Sequence, residues 1–228
     1  MIAKEGYIFI ILALLLTIVS YATSLTLQST AFYVLAVAFA LLTLFITYFF
    51  RDPNRTFDNK DGLLISPADG KVLAVENIGH HDFIGSDTTK ISIFLNVFDV
   101  HINRIPSDGL INYVKYNPGK FHVASVDKAS ELNEQTEIGM TTNSGQKIIF
   151  KQIAGLIARR IVCKLKENQN VTAGERFGLI RFGSRTELFV PSDSVINIKA
   201  GDRVIGSETI VGQLTSNELK NKAEDKTI

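Results

Sequence analysis

Residues 6–50 contain no Asp, Glu, Lys or Arg, and this constrains the chain more than any other feature. Two apolar runs lie inside it, Tyr7 to Thr23 and Ala31 to Phe50, separated by the more polar SLTLQST of Ser24 to Thr30. At about 1.5 Å of helical rise per residue, the second run reaches about 30 Å, the hydrocarbon thickness of a bilayer, and the first is near the lower limit. Any segment that spans lipid must be helical, because lipid offers the backbone no partners. The expectation is an N-terminal hydrophobic helical hairpin over 1–50. The alternatives are one span plus an interfacial helix, or a buried core pair. A cleaved signal peptide fits less well, because no small-residue cleavage site precedes an obvious mature domain and a second apolar run follows at once.

Lys4, Arg51 and Arg55 flank the hairpin, and the positive-inside rule puts all three, and the domain that follows, on the cytoplasmic face. The single cysteine, Cys163, allows no internal disulfide, as suits a reducing compartment. Lys4 and Glu5 are the only charged residues before Arg51, which leaves 23 basic and 22 acidic side chains in residues 51–228. That balance argues against a nucleic-acid platform.

From residue 60 the period changes from helix to strand. Ile91, Ile93, Leu95 and Val97 alternate with Ser92, Phe94 and Asn96, and Leu110 to Tyr116 alternates similarly. Strand-like runs follow at Lys71–Ile78, Gln146–Ile153, Gly155–Lys164, Arg176–Phe182, Thr186–Val190 and Val195–Ile198. Asp-Gly, Pro-Gly and Ser-Gly pairs punctuate them. Only Ala124–Gln135 reads as helix. The fold class is therefore mainly β, a β-sandwich or barrel-like domain with few short helices over 51–228. VTAGERFGLI (171–180) and IKAGDRVIGSETIVG (198–212) repeat an Ala-Gly-acid-Arg turn, similar in shape to the hammerhead turns of lipoyl and biotinyl carrier domains, but no lysine sits in a suitable hairpin.

Several polar constellations stand out. Gly183-Ser184 lies in RFGSRTELF after an apolar run; alone, such a pair is an ordinary turn. Asp69 in SPADGK caps a turn or serves a site. Asp99, His101 and Asn103 alternate in NVFDVHINRIP and share one face, either as a solvated edge or as a site with His101 as acid or base. His122 is a second histidine candidate. His80-His81-Asp82 lacks partners at metal-ligand spacing and reads as a surface loop, so no metal is expected. Arg159 and Arg160 point to opposite strand faces, and one could meet a lipid phosphate. No P-loop or dinucleotide fingerprint occurs.

Together FFRDPNR, SPADGK, FLNVFDVHINRIPSDG, DKASELNEQTE, QIAGLIARRIV, GERFGLIRFGSRTELFVP and AGDRVIGSETI resemble the short form of the phosphatidylserine decarboxylase family, over about residues 48–212. The resemblance implies a proenzyme that cuts itself between Gly183 and Ser184. The products are a β chain, 1–183, and an α chain, 184–228, which remain together as a heterodimer; a higher homo-oligomer is compatible with this. Ser184 becomes a pyruvoyl group, the covalent cofactor, with no metal and no pyridoxal phosphate. Its hydroxyl attacks the Gly183 carbonyl, giving an ester; removal of the serine α-proton eliminates that ester, and hydrolysis expels ammonia and leaves a ketone. The ketone then condenses with the amine of phosphatidylserine, a membrane phospholipid, and acts as electron sink while carbon dioxide leaves, yielding phosphatidylethanolamine.

In the family an Asp-His-Ser set is associated with cleavage. Asp69 matches its aspartate and His101 the first of two histidines seen in longer forms, while Arg104 stands where the second would be. Arg185 replaces the small polar residue that usually follows the serine. The headgroup chemistry would be identical for an isoprenoid-tailed serine lipid. Two other classes remain: an uncleaved membrane-anchored binding module, and a hydrolase using Ser184 without cleavage.

Overall fold

The computed structural model describes residues 1–57, 60, 62–119, 133–155, 161–181 and 184–215. It divides into two compact units, Met1–Asn54 and Arg55–Ile228.

The first unit is a helical hairpin, α1 (Tyr7–Leu27) and α2 (Thr30–Phe49). Helix α1 runs four residues past the expected Thr23, because Ser24 and Thr26 return their hydroxyls to the carbonyls of Tyr21 and Thr23 and so add no unsatisfied polar group. The turn is Gln28, in the left-handed region at φ 49°, followed by Ser29. Small residues, Ala13, Ser20 and Ser24 on α1 and Ala36 on α2, are buried along with Phe49 at the end of α2, while most leucines and isoleucines face outward. That is the pattern of helices packed for lipid rather than for water. At 21 and 20 residues each helix is long and apolar enough to cross a bilayer, which suggests membrane association. The two ends of the hairpin are tied: Ala3 donates to the Phe50 carbonyl at 2.8 Å and Asp52 to that of Met1 at 2.7 Å.

The second unit is mainly β. Its largest sheet has eight antiparallel strands in the order β13 (Arg203–Val204), β2 (Gly70–His81), β3 (Ser86–Leu95), β11 (Ser184–Pro191), β7 (Lys147–Ile153), β6 (Gln135–Thr142), β5 (Gly109–Asn117) and β9 (Asn170–Val171). It curls. Phe83, at the tip of the β2–β3 hairpin, meets Tyr113 of β5 edge-on at 5.0 Å, although three strands separate β3 from β5 in the sheet. A three-stranded sheet, β4 (Ile102–Arg104), β10 (Arg176–Ile180) and β8 (Ile161–Cys163), and another, β1 (Leu63–Ile65), β14 (Ile210–Gln213) and β12 (Val195–Ile196), complete the unit. The core gathers alternate residues of the strands, among them Ile91, Ile93, Ile148, Phe150, Leu188 and Phe177. Burying each such side chain is worth about 1.5–3 kcal/mol.

Some expectations change in detail. Residues 124–132 of the expected helix lie outside the described residues, and the remainder is extended: Gln135 opens β6, while Glu134 accepts from Ala154 N–H at 2.9 Å. Within 155–164, Ile161–Cys163 is strand and 156–160 are not described. His80 and His81 are not in a loop but end β2, paired with Asp87 and Ser86 across a tight hairpin. Both Ala-Gly-acid-Arg turns carry a glycine at positive φ, Gly174 at 79° and Gly201 at 97°.

Candidate active site

Ser184 is the first residue of β11, the strand held between β3 and β7 near the middle of the large sheet. Pleating sends Ser184, Thr186 and Leu188 to the core face, where they align with Leu95, Ile93 and Ile91 of β3. Ser184 is 0 % exposed, and its hydroxyl has no hydrogen-bond partner among the described residues. An unpaired buried hydroxyl carries a desolvation cost of about 1–3 kcal/mol. Such a group is expected where chemistry, rather than stability, selects the residue.

His101 and Asn103 come to the same end of the domain on the small sheet. Ile180 donates its N–H to the His101 carbonyl at 3.4 Å, and β10 then leads through 181–183 to Ser184. His101 flanks the start of that connection and Ser184 ends it. The imidazole is buried, 3 % exposed, with Nδ1 3.0 Å from the Asp99 carbonyl. A carbonyl can only accept, so Nδ1 carries the proton and Nε2 is the basic nitrogen of the neutral ring. Of the two readings of this row, the solvated edge does not hold, since it is interior: Asn103 is 0 % exposed and donates to Thr186 Oγ1 at 3.5 Å. Asp99 serves the turn, accepting from Asn96 N–H at 2.9 Å, and pairs with Arg203.

Asp69 is engaged elsewhere. Arg55 grips both its oxygens, Nη2 reaching Oδ2 at 2.8 Å, and Gly206 N–H donates to Oδ1 at 2.9 Å. Arg55 also donates to the Gly206 carbonyl at 2.8 Å. Three separated motifs, RDPNR, SPADGK and GSETI, thus meet at one buried carboxylate, and the Pro67 carbonyl ties them to β4 through Arg104 N–H at 2.9 Å. Among the described residues the Asp69 carboxylate bonds to neither His101 nor Ser184. Gly70 follows because a Cβ there would collide with the Phe94 carbonyl, and its φ of 157° suits glycine. Gly183, His122, Arg159 and Arg160 lie outside the described residues.

Sequence reasoning missed two groups. Gln152 of β7 sits opposite Thr186 and is 0 % exposed, with Nε2 donating to Asn103 Oδ1 at 2.8 Å and to the Val162 carbonyl at 3.3 Å. On the other face of β11, Arg185 and Glu187 form an ion pair at 3.0 Å, both side chains 2 % exposed. Ser92 accepts from Arg185 Nη2 at 2.7 Å and donates to Glu187 at 3.4 Å. The available signal for Gln152 was a polar residue in register with Ile148 and Phe150 on an otherwise apolar face.

The family model of phosphatidylserine decarboxylase matches residues 42–212, across β11 and every segment that builds this site. The chain belongs to the phosphatidylserine decarboxylase family. Among similar proteins, the phosphatidylserine decarboxylase proenzyme of Desulfotalea psychrophila is 47 % identical over 213 residues, covering 93 % of this chain and 96 % of its own. That of Symbiobacterium thermophilum is 42 % identical over 217 residues, covering 93 % and 95 %. That of Ehrlichia ruminantium (strain Gardel) is 47 % identical over 214 residues, covering 93 % and 91 %. Phosphatidylserine decarboxylases are lyases, and the relatives' name, proenzyme, refers to a precursor that is processed.

Proposed function

We propose that this chain is a self-processing proenzyme that decarboxylates phosphatidylserine to phosphatidylethanolamine at the cytoplasmic face of a membrane, using a pyruvoyl group made from Ser184. The observation that carries the reading is the buried hydroxyl of Ser184 at the head of a central strand, without a hydrogen-bond partner among the described residues. Family membership supplies the reaction class.

Processing uses the chain's own residues. Ser184 Oγ gives up its proton to a base and attacks the carbonyl carbon of Gly183. The Gly183–Ser184 amide C–N bond breaks as the ester C–O bond forms, and the freed amine takes up a proton. The base then removes the α-proton of Ser184, and the ester oxygen leaves with the Gly183 carboxylate. His101 is assigned as that base, because its tautomer leaves a lone pair on Nε2 and its carbonyl accepts from Ile180, four residues before Ser184 in the chain. Asp69 acts as a positioning residue: with Arg55 and Gly206 it fixes SPADG, on which Arg104 and β4 depend. A base within reach is typically worth 10²–10⁴-fold.

The residues fit the group. Position 184 is buried, so a carbonyl there would be shielded from water, and Thr186, Asn103 and Gln152 provide polar neighbours on the same side. When present, a pyruvoyl carbonyl supplies the electron sink for loss of carbon dioxide. Cleavage would leave 1–183 and 184–228 as a heterodimer. Lys4, Arg51 and Arg55 favour the cytoplasmic side, and the apolar hairpin supports a membrane location.

The denatured intact mass of the purified protein tests this. Two fragments meeting at Gly183-Ser184 are expected, the smaller lighter by one ammonia and blocked to N-terminal sequencing, with Ser184→Ala giving one uncleaved, inactive chain. An intact parent chain that decarboxylates phosphatidylserine would overturn the reading.

A further inference from the structure

Gln152 is a polar side chain placed where β7 should be apolar, and its seat is built for it. Its residue is 0 % exposed and shares a face with Ile148 and Phe150. The carboxamide leaves the large sheet and reaches the small one at Asn103 and Val162. Gly178 of β10 makes the passage: a Cβ there would stand 2.9 Å from Gln152 Nε2 and collide with the Val162 carbonyl.

The orientation of the amide follows from its partners. The Val162 carbonyl only accepts, so the atom facing it is the NH₂ group. Asn103 agrees, since its Oδ1 receives Gln152 Nε2 while its Nδ2 donates to Thr186 Oγ1. Gln152 Oε1 is therefore an acceptor, and it is buried with no hydrogen-bond partner among the described residues. Ser184 Oγ is also buried and without a partner among the described residues, so neither atom satisfies the other. Thr186 stands opposite Gln152, and Ser184 is two residues along the same face of the same strand, about 7 Å away along it.

We infer that Gln152 Oε1 is the acceptor for the amine of the substrate's serine headgroup, holding that nitrogen beside position 184. The inference rests on the pyruvoyl reading of Ser184. An N–H donor is the complement that an orphan carbonyl oxygen requires, and an ammonium or amine is the donor that must arrive at a carbonyl there. A carboxylate or phosphate is excluded as its partner, because both are acceptors. Gln152 thus selects lipids with a primary amine, and Asn103 is a positioning residue that keeps the amide turned so that Oε1 points away from the Val162 carbonyl.

The test uses the full chain in detergent micelles, with Gln152→Leu and Gln152→Met as two apolar replacements of similar size. Denatured mass reads whether each variant is cleaved and carries the lighter small fragment. Phosphatidylserine is then titrated with cyanoborohydride present, and attachment of its amine to the small fragment is read as a mass increase. The expected result is normal cleavage, with half-maximal attachment at about tenfold higher phosphatidylserine and KM raised more than kcat falls. Attachment at the parent's lipid concentration in a cleaved variant would overturn the inference. Failure of both variants to cleave would also overturn it, because Gln152 would then act before any amine arrives. If the parent itself yields no lighter small fragment, the pyruvoyl reading fails and the inference falls with it, and this is seen before any variant is compared.

Discussion

Arg55 and Asp69, fourteen residues apart, form a two-pronged ion pair with the Gly206 backbone completing it on both sides. Their side chains are 7 % and 12 % exposed. Removing one partner of a buried pair strands the other charge, at a cost of about 3–5 kcal/mol. Asp69→Asn and Arg55→Met should each lower the urea midpoint and slow cleavage, and the double variant should cost less than the sum. Additive losses, measured by chemical denaturation, would mean that the two charges act independently.

His101→Asn keeps a side-chain N–H for the Asp99 carbonyl but removes the basic ring nitrogen. Cleavage followed by mass after a pulse of synthesis should slow by about 10²-fold or more, while the thermal midpoint changes little. Cleavage at the parent rate would release His101 from the role of base.

Glu187→Gln should destabilise the domain more than a surface charge change does. It leaves Arg185, 1 % exposed, without its only described ionic partner, and the expected loss is about 3–5 kcal/mol. The check is the denaturation midpoint, and a change below about 1 kcal/mol, the range of exposed pairs, would contradict it.

The Tyr113–Glu137–Lys151 cluster predicts a stability profile with two limbs. Burial pushes the Glu137 carboxyl up, but hydrogen bonds from Lys151 and Tyr113 outweigh it and hold the group below the ordinary 4.5. Its contribution is therefore full above the ordinary carboxylate value and lost as pH falls through the depressed one. Tyr113 is displaced upward, by burial first and then by hydrogen bonding to Glu137 and its charge. That contribution is full below the ordinary tyrosine value of 10.0 and lost as pH rises beyond it. Urea midpoints measured against pH should fall on both sides, and Glu137→Gln should flatten the acid limb.

The hairpin, the β class and the family were legible because each is a local pattern: an uncharged stretch, a period of two, a motif string. The Asp69 environment was not, since Arg55 and Gly206 reach it from distant segments and only the closed fold makes them neighbours. Arg185 and Glu187 alternate with Ser184, Thr186 and Leu188 as a solvated strand face would, yet curling of the sheet accompanies their burial. Gln152 broke the apolar row of Ile148 and Phe150, but what it touches depends on Gly178, in a strand some 25 residues on.

Strand β11 pairs with β3 through eight residues and with β7 through five, and all of it lies from Ser184 onward. If the preceding peptide bond is cut as proposed, the small fragment would contribute a middle stave of a sheet whose flanking staves belong to the other fragment. It could not leave without opening the sheet at its centre, so fragments would not trade places between molecules. A spent or damaged group at position 184 could then never be renewed by subunit exchange, and the working life of each molecule would equal that of its one modified serine.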